Sequence, residues 1–198
     1  MKLFRFVFSL AYKSILLVKN IRLFILPNSF QLIQKVVYIS SFPSINQFLK
    51  ISGKGKVFIG DHCSFGFKMG GFHRGGSIEF QPRYKDAVIK IGNTVGTNNN
   101  ICIISANYIE IGDNSLIGQN VTIMDYEAHG INPDKRNEIG EIGSVIIGKN
   151  VWIGNNVIIL KNSEIGENSI VAAGAVVCGK FPSNVIIGGV PAKVIKEI

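Results

Sequence analysis

Among the 198 residues of this chain, the one with the plainest capacity for chemistry is His129. It sits in the polar, Gly-rich stretch DYEAHGINPDKRNEIGEIGS, from Asp125 to Ser144. An imidazole titrates near pH 6.5, at about the point where one group can take a proton and return it. Two carboxylates stand just upstream. Asp125 or Glu127 could fix the ring tautomer through its second nitrogen, as could a backbone carbonyl, and Asp125 is the favoured partner. Taken alone, His129 could equally be a solvated loop histidine, so what positions it decides its meaning. Asn98 and Asn100, in GTNNNICII, carry amides that both donate and accept; the plain alternative is a stack of amides satisfying corner backbone groups. His62, in IGDHCS, reads as an exposed corner residue, and His73, in GGFHRGG, as a loop residue within reach of a ligand. The three histidines lack the spacing of a zinc set, and no metal is expected.

What must position these residues is a repeat. From Ile147 the chain runs IIGKNVWIGNNVIILKNSEIGENSIVAAGAVV, with Ile153, Ile159, Ile165, Val171 and Val177 on one six-residue phase. Such a period is the mark of a β-solenoid, in which each coil stacks its apolar residue on the next. Gly148, Gly154 and Gly166 follow the aliphatic, and Val151, Val157, Ser163, Ser169 and Ala175 stand four positions beyond it. The spacing predicts a short strand, a tight corner at the glycine, and a small residue inside the turn. The same phase at Ile59, Phe65, Ile91, Ile111 and Ile117 extends the solenoid over residues 51–198. Two stretches break it, residues 68–85 and 125–144. Breaks in a solenoid map to loops, often on the binding face. Trp152, the only tryptophan, stands one residue before the inward Ile153 and so points outward, toward a ligand or a neighbouring subunit.

Residues 1–50 read as a basic, apolar helical segment. Nine basic residues precede Asp61, the first acidic one, whereas the rest of the chain is near neutral. Lys13, Lys19 and Arg22 interrupt every apolar run before it reaches the ~20 residues of a spanning helix. Two readings stay open: a basic amphipathic helix on an anionic membrane surface, or a cap over the solenoid's open end. Cys63, Cys102 and Cys178 are odd in number and widely spaced, which favours a reducing compartment over a disulfide framework. Each reads as a buried or half-buried small residue. The expected location is the cytoplasm, peripheral on the inner face of the membrane. No nucleic-acid reader motif accompanies the basic charge, and nucleic acid is not an expected partner.

The run VIIGKNVWIGNNVIILKNSEIGENSIVAAGAVVCGKFPSNVIIGGVPAKVIKEI resembles the C-terminal half of hexapeptide-repeat acyltransferases, and among them the galactoside, maltose and polysaccharide O-acetyltransferases. VWIG, IGENSIVAAGAVV and GGVPAKVIKEI occur together, in order, after a His-bearing loop. The likeness covers residues 88–198 well, 51–87 by repeat phase, and 1–50 hardly at all. It implies an all-β solenoid, a left-handed parallel β-helix with an N-terminal helical segment and an extruded active-site loop. It also implies a homotrimer with acetyl-CoA in a groove between subunits, and acetyl transfer to a sugar hydroxyl, as in surface-polysaccharide biosynthesis. His129 follows NVTI as the family's catalytic histidine does. Asn98 and Asn100 match an acceptor-binding pair, and Trp152 borders the same site. Asn155, Ala173, Cys178, Lys193 and Lys196 fall on acetyl-CoA positions. The chain departs from the pattern where His129-Gly130 replaces a His-Pro pair and Cys178-Gly179 replaces Thr-Lys. Acetylation of an amino sugar at nitrogen and a non-catalytic binding scaffold are the alternatives.

Overall fold

The computed structural model describes residues 12–198. Successive strands visit three sheets in strict rotation, so the chain winds a three-sided coil. The first face stacks Val37–Ile39, Lys56–Ile59, Val88–Ile91, Tyr108–Ile111, Ser144–Ile147, Ser163–Ile165 and Lys180–Phe181. The second stacks Ser44–Ile45, Ser64–Phe65, Gly96–Thr97, Leu116–Ile117, Trp152–Ile153, Ile170–Val171 and Val185–Gly189. The third stacks Leu49–Ile51, Ile78–Pro82, Cys102–Ser105, Thr122–Met124, Ile158–Ile159 and Val176–Val177. These strands pair in parallel; Ala192–Glu197 then folds back antiparallel on Val185–Gly189 and closes the second face.

The repeat phase places the core as expected. Ile147, Ile153, Ile159, Ile165, Val171 and Val177 are at most 1% exposed. Burial of each such side chain contributes about 1.5–3 kcal/mol. Val151, Val157, Ser163, Ser169 and Ala175 fill the inner corners and are buried too. The corners themselves are turned differently from the sequence expectation. The left-handed backbone falls on Asn150, Asn156, Asn162 and Asn168, at φ of 54–62°, and not on Gly148, Gly154 or Gly166. Asn enters this region at lower cost than other residues with a Cβ. The glycines answer a different need, close approach of coils. A Cβ on Gly154 would stand 2.7 Å from the backbone nitrogen of Ala173 in the next coil, and one on Gly166 2.3 Å from that of Ser183.

The solenoid begins earlier than residue 51. The strands from Val37 to Ile51 already make a complete coil. It escaped notice in the sequence because its aliphatics Ile39 and Ile45 are followed by Ser40 and Asn46, not by glycine. Above this coil residues 12–20 are helical and pass into a π turn, Ile21–Ile25, and a short helix, Ser29–Ile33. Phe24 is wholly buried, edge-on to Phe42. Asn28 takes the place of a missing strand. Its Nδ2 donates to Leu49 O at 2.7 Å and its Oδ1 accepts from Ile51 N at 2.6 Å, which pairs the open edge of the third face. Residues 21–33 thus cap the solenoid. The helix at 12–20 is largely exposed, with Tyr12 and Ile15 each 68% exposed, and meets the first coil through Lys19 Nζ, which donates to Asn46 Oδ1 at 2.9 Å. Lys2 and Arg5 of the basic segment lie outside the described residues.

Candidate active site

The long loop leaves the solenoid at the corner between the third and first faces. Asp125 roots it there. Its buried carboxylate accepts from Ser105 Oγ at 2.7 Å, Ala106 N at 2.6 Å and Asn107 N at 3.0 Å. These bonds commit the carboxylate to the turn of the preceding coil, so Asp125 is not the partner of His129 and its expected place in the catalytic pair is corrected. Beyond it the two arms close like the neck of a hairpin. Glu127 N donates to Glu141 O at 2.9 Å, and Gly140 N to Glu127 O at 3.0 Å.

At the tip, His129 Nδ1 lies 2.7 Å from Arg136 O. A carbonyl oxygen only accepts, so Nδ1 carries the hydrogen and Nε2 keeps its lone pair. The ring is exposed. Two more bonds hold the tip: Arg136 Nη1 donates to Gly130 O at 3.1 Å, and Gly130 N to Glu138 O at 2.9 Å. These explain the glycine after His129. Proline has no N–H for Glu138, and a Cβ at this position would meet Lys135 O at 2.4 Å.

A charged cluster braces the neck. Lys161 Nζ bonds the Glu141 carboxylate and lies 3.3 Å from Glu127 Oε1, while Asn162 Nδ2 donates to Glu141 Oε1 at 3.2 Å. The Lys161 bond holds the Glu141 carboxyl below its usual range, and the same bond lifts Lys161 above its own. Cys178 shares a cavity of roughly 200 Å³ with Tyr126, Glu127, Leu160 and Lys161. It is exposed, contrary to expectation, whereas Cys63 is buried and Cys102 half-buried, and burial pushes both of those thiols up.

The other candidate residues gather elsewhere, at and beside the corner between the second and third faces. Trp152 points outward, 56% exposed, next to Leu116 on the second face. A groove of roughly 370 Å³ runs past Asn46, Phe67, Asn98, Leu116, Trp152 and Asn155. Asn98 thus lines a cavity. Asn100 occupies a left-handed corner and its Nδ2 donates to Asn120 Oδ1 at 2.7 Å, in a ladder that continues to Asn156. It takes the place that the alternative of stacked amides expects. Asn99, which the sequence did not single out, is buried and ties down the first loop, accepting from Phe67 N and donating to Gly71 O.

A second groove, roughly 290 Å³, is lined by Trp152, Gly154, Asn155, Ile170, Val171, Ala172 and Ala173. Here a side-chain ladder stops. At the corner between the first and second faces Asp61 N donates to Asn93 Oδ1 and Asn93 N to Asp113 Oδ1; at the present corner Gln119 N donates likewise to Asn155 Oδ1. The next rung is Ala173, which has no oxygen to offer, so no side chain takes up Asn155 N. Lys193 and Lys196 are exposed on the last, antiparallel strand. Within one chain, then, Asn98, Trp152, Asn155 and Ala173 lie together. His129 and Cys178 lie across the third face from them, and no hydrogen bond or ion pair among the described residues joins the two sets. Among the same residues, no group of three His, Cys, Asp or Glu side chains could hold a metal ion.

Residues 144–179 match the family described as bacterial transferase hexapeptide, six repeats. That stretch of the chain is built of hexapeptide repeats. Over 112 residues the chain is 41% identical to the galactoside O-acetyltransferase of Escherichia coli (strain K12), a match covering 56% of this chain and 54% of that one. Over 122 residues it is 34% identical to the putative lipopolysaccharide biosynthesis O-acetyl transferase WbbJ of the same organism, covering 56% and 61%. The chain therefore spans little more than half the length of these relatives. A solved galactoside acetyltransferase in complex with coenzyme A superposes with a TM-score of 0.53 at 27% identity, over 85% of this chain and 68% of that one. The fold is the left-handed parallel β-helix of such proteins.

Proposed function

We propose that this chain transfers an acetyl group from acetyl-CoA to a hydroxyl of a sugar, in surface-polysaccharide biosynthesis. The observation that carries the reading is the bond from His129 Nδ1 to Arg136 O, which leaves Nε2 free as a base on a braced loop. Nε2 takes the hydroxyl proton as the oxygen attacks the thioester carbonyl. The tetrahedral intermediate collapses, the C–S bond breaks, and the imidazolium returns the proton to the departing thiolate. The open N–H of Asn155, beside Ala173, suits an amide or carbonyl of the pantetheine arm. Lys193 and Lys196 offer screened charge to the phosphates. The relatives' names, O-acetyltransferases of a galactoside and of lipopolysaccharide biosynthesis, support the saccharide acceptor.

The active site in this reading is shared between copies. The exposed Leu116 and Trp152 form an apolar patch on the second face. A second copy seated there brings its own His129 loop to the groove of the first, and threefold repetition closes a homotrimer.

The helix at 12–20, with Lys13 and its exposed apolar side chains, is placed against the anionic inner surface of the membrane. Among the described residues no helix is long and apolar enough to cross one.

Free thiol release from acetyl-CoA with a panel of sugars tests the chemistry. The native chain releases thiol with one class of sugar and His129→Ala does not; equal release from both ends the proposal. Loss of the product acetyl group in mild base identifies an ester, and its persistence an amide. Sedimentation with anionic vesicles, before and after removal of residues 1–18, tests the membrane contact while keeping the cap.

A further inference from the structure

The cap and the first loop enclose a cavity that acetyl transfer leaves unused. It measures roughly 490 Å³, and its wall includes Arg22, Asn46, Gln47, Phe48, His73 and Arg74. No acidic residue occurs before Asp61, and none occurs in the loop from Gly66 to Ser77. Two further cations stand nearby. Lys19 donates to Asn46 Oδ1 at 2.9 Å, and its ammonium is held below the usual lysine range by burial and then by the charge of Lys68. Among the described residues, no carboxylate pairs with Lys19, Arg22, Lys68 or Arg74. His73 adds an unanswered polar group: its Nδ1 is shut off from solvent with no hydrogen-bond partner among the described residues.

The walls are built rather than loose. Gln47, 1% exposed, donates through Nε2 to Phe72 O at 2.7 Å and accepts at Oε1 from Asn100 N at 2.7 Å. This holds the loop that carries His73 and Arg74 against the first coil. Gathering unpaired cations around one cavity is unfavourable unless an anion joins them. Guanidinium groups present planar forks of donors that match phosphate oxygens. Asn46 lines both this cavity and the groove beside Trp152.

We propose that Arg22, His73 and Arg74 form a phosphate-ester site, which holds the anionic end of a phosphate-linked saccharide while the sugar runs past Asn46 toward Asn98. The anion site stands by itself; the placing of the sugar rests on the acetyl-transfer reading. The same chemistry could be met by a lipid headgroup, since the helix at 12–20 leads directly into Arg22.

Calorimetric titration with inorganic pyrophosphate at low ionic strength tests the site without any transfer assay. The native chain binds, and Arg74→Gln and Arg22→Gln each weaken binding about tenfold, as loss of one charge-assisted fork implies. Lys54→Gln with Lys56→Gln, which removes two exposed charges at another corner, leaves binding unchanged. Arg74 lies in a loop, so its variant keeps the test meaningful if Arg22→Gln disturbs the cap. Pyrophosphate affinity unchanged in Arg74→Gln, or weakened equally by the Lys54 and Lys56 changes, overturns the site. Vesicles of phosphatidylglycerol in phosphatidylcholine separate the sources. Vesicle binding that survives Arg74→Gln assigns the site to the substrate's phosphate; vesicle binding lost with it and displaced by pyrophosphate assigns it to a headgroup. Thiol release with an unphosphorylated sugar persists in Arg74→Gln, so failure of this site is distinguishable from failure of acetyl transfer.

Discussion

His129 Nδ1 and Arg136 O lie 2.7 Å apart across the tip of the loop, and this contact decides which imidazole nitrogen is free. The partner is a backbone atom, so the tautomer is set by the path of the loop and not by a side chain that could be exchanged. The path in turn depends on Gly130, through its N–H to Glu138 O.

Gly130→Pro removes that N–H and brings ring atoms against Lys135 O. A displacement of the reacting group by ~1 Å costs on the order of 10²-fold in rate. Steady-state kinetics are expected to show kcat falling by about that factor, with little change in KM for acetyl-CoA. A variant as active as the native chain would show that the tip is not what places the ring.

Asp125 is a positioning residue in this account. Asp125→Asn keeps its size but turns an amide toward donors at Ser105, Ala106 and Asn107. The cost is about 1–3 kcal/mol, that of buried groups left poorly paired. Thermal unfolding should register the loss, whereas the pH profile of the remaining activity keeps its shape. A displaced profile would return Asp125 to the side of His129.

The brace at Lys161 sets a pH window. The Glu141 carboxyl, lowered below its ordinary 4.5 mainly by the Lys161 bond, adds stability that is present above that value and is lost as pH falls through the lowered folded one. Lys161, raised above its ordinary 10.5 mainly by Glu141, adds stability that is present below that value and is lost as pH rises through the raised one. Hydrogen exchange at the neck amides of Glu127 and Gly140 is therefore expected to be protected equally at mildly acidic and neutral pH. Protection should fall only in strong acid or strong base, or at neutral pH in Lys161→Met.

Asn28→Ala strips the cap of the hydrogen bonds that, among the described residues, join it to the first coil's third face. Ile51 N and Leu49 O are then buried and unpaired, at about 1–3 kcal/mol each. The urea midpoint should fall accordingly. If it does not, the cap is held by Phe24 and its apolar neighbours alone.

The fold was legible because one aliphatic in six is a strong signal, and the phase from Ile147 to Val177 fixed what points inward. What the phase could not tell was why each glycine is there. Gly154 and Gly166 mark close contact between coils, a property of residues 17–19 positions away, while the turning itself is done by Asn156 and Asn168. The first coil was hidden because it lacks those glycines, and its edge is closed by Asn28, a residue with no periodic signature. At the site, His129 and Trp152 stood out by type and by phase. Asp125 is near His129 along the chain but not in its bonding, since its partners are the atoms of residues 105–107 one coil earlier. Lys161 and Asn99 gave no signal, since each occupies an ordinary repeat position and matters only for the loop it meets.

The central claim is that one chain holds the base and its neighbour the groove, so that neither copy is complete alone. Co-expression of His129→Ala with Asn98→Ala tests this by complementation. Either variant by itself should release little thiol. Random mixed trimers should recover about a quarter of native activity, because a quarter of the interfaces pair an intact loop with an intact groove. Mixed assemblies no more active than the separate variants would contradict the shared site and place both residues in the same chain's chemistry.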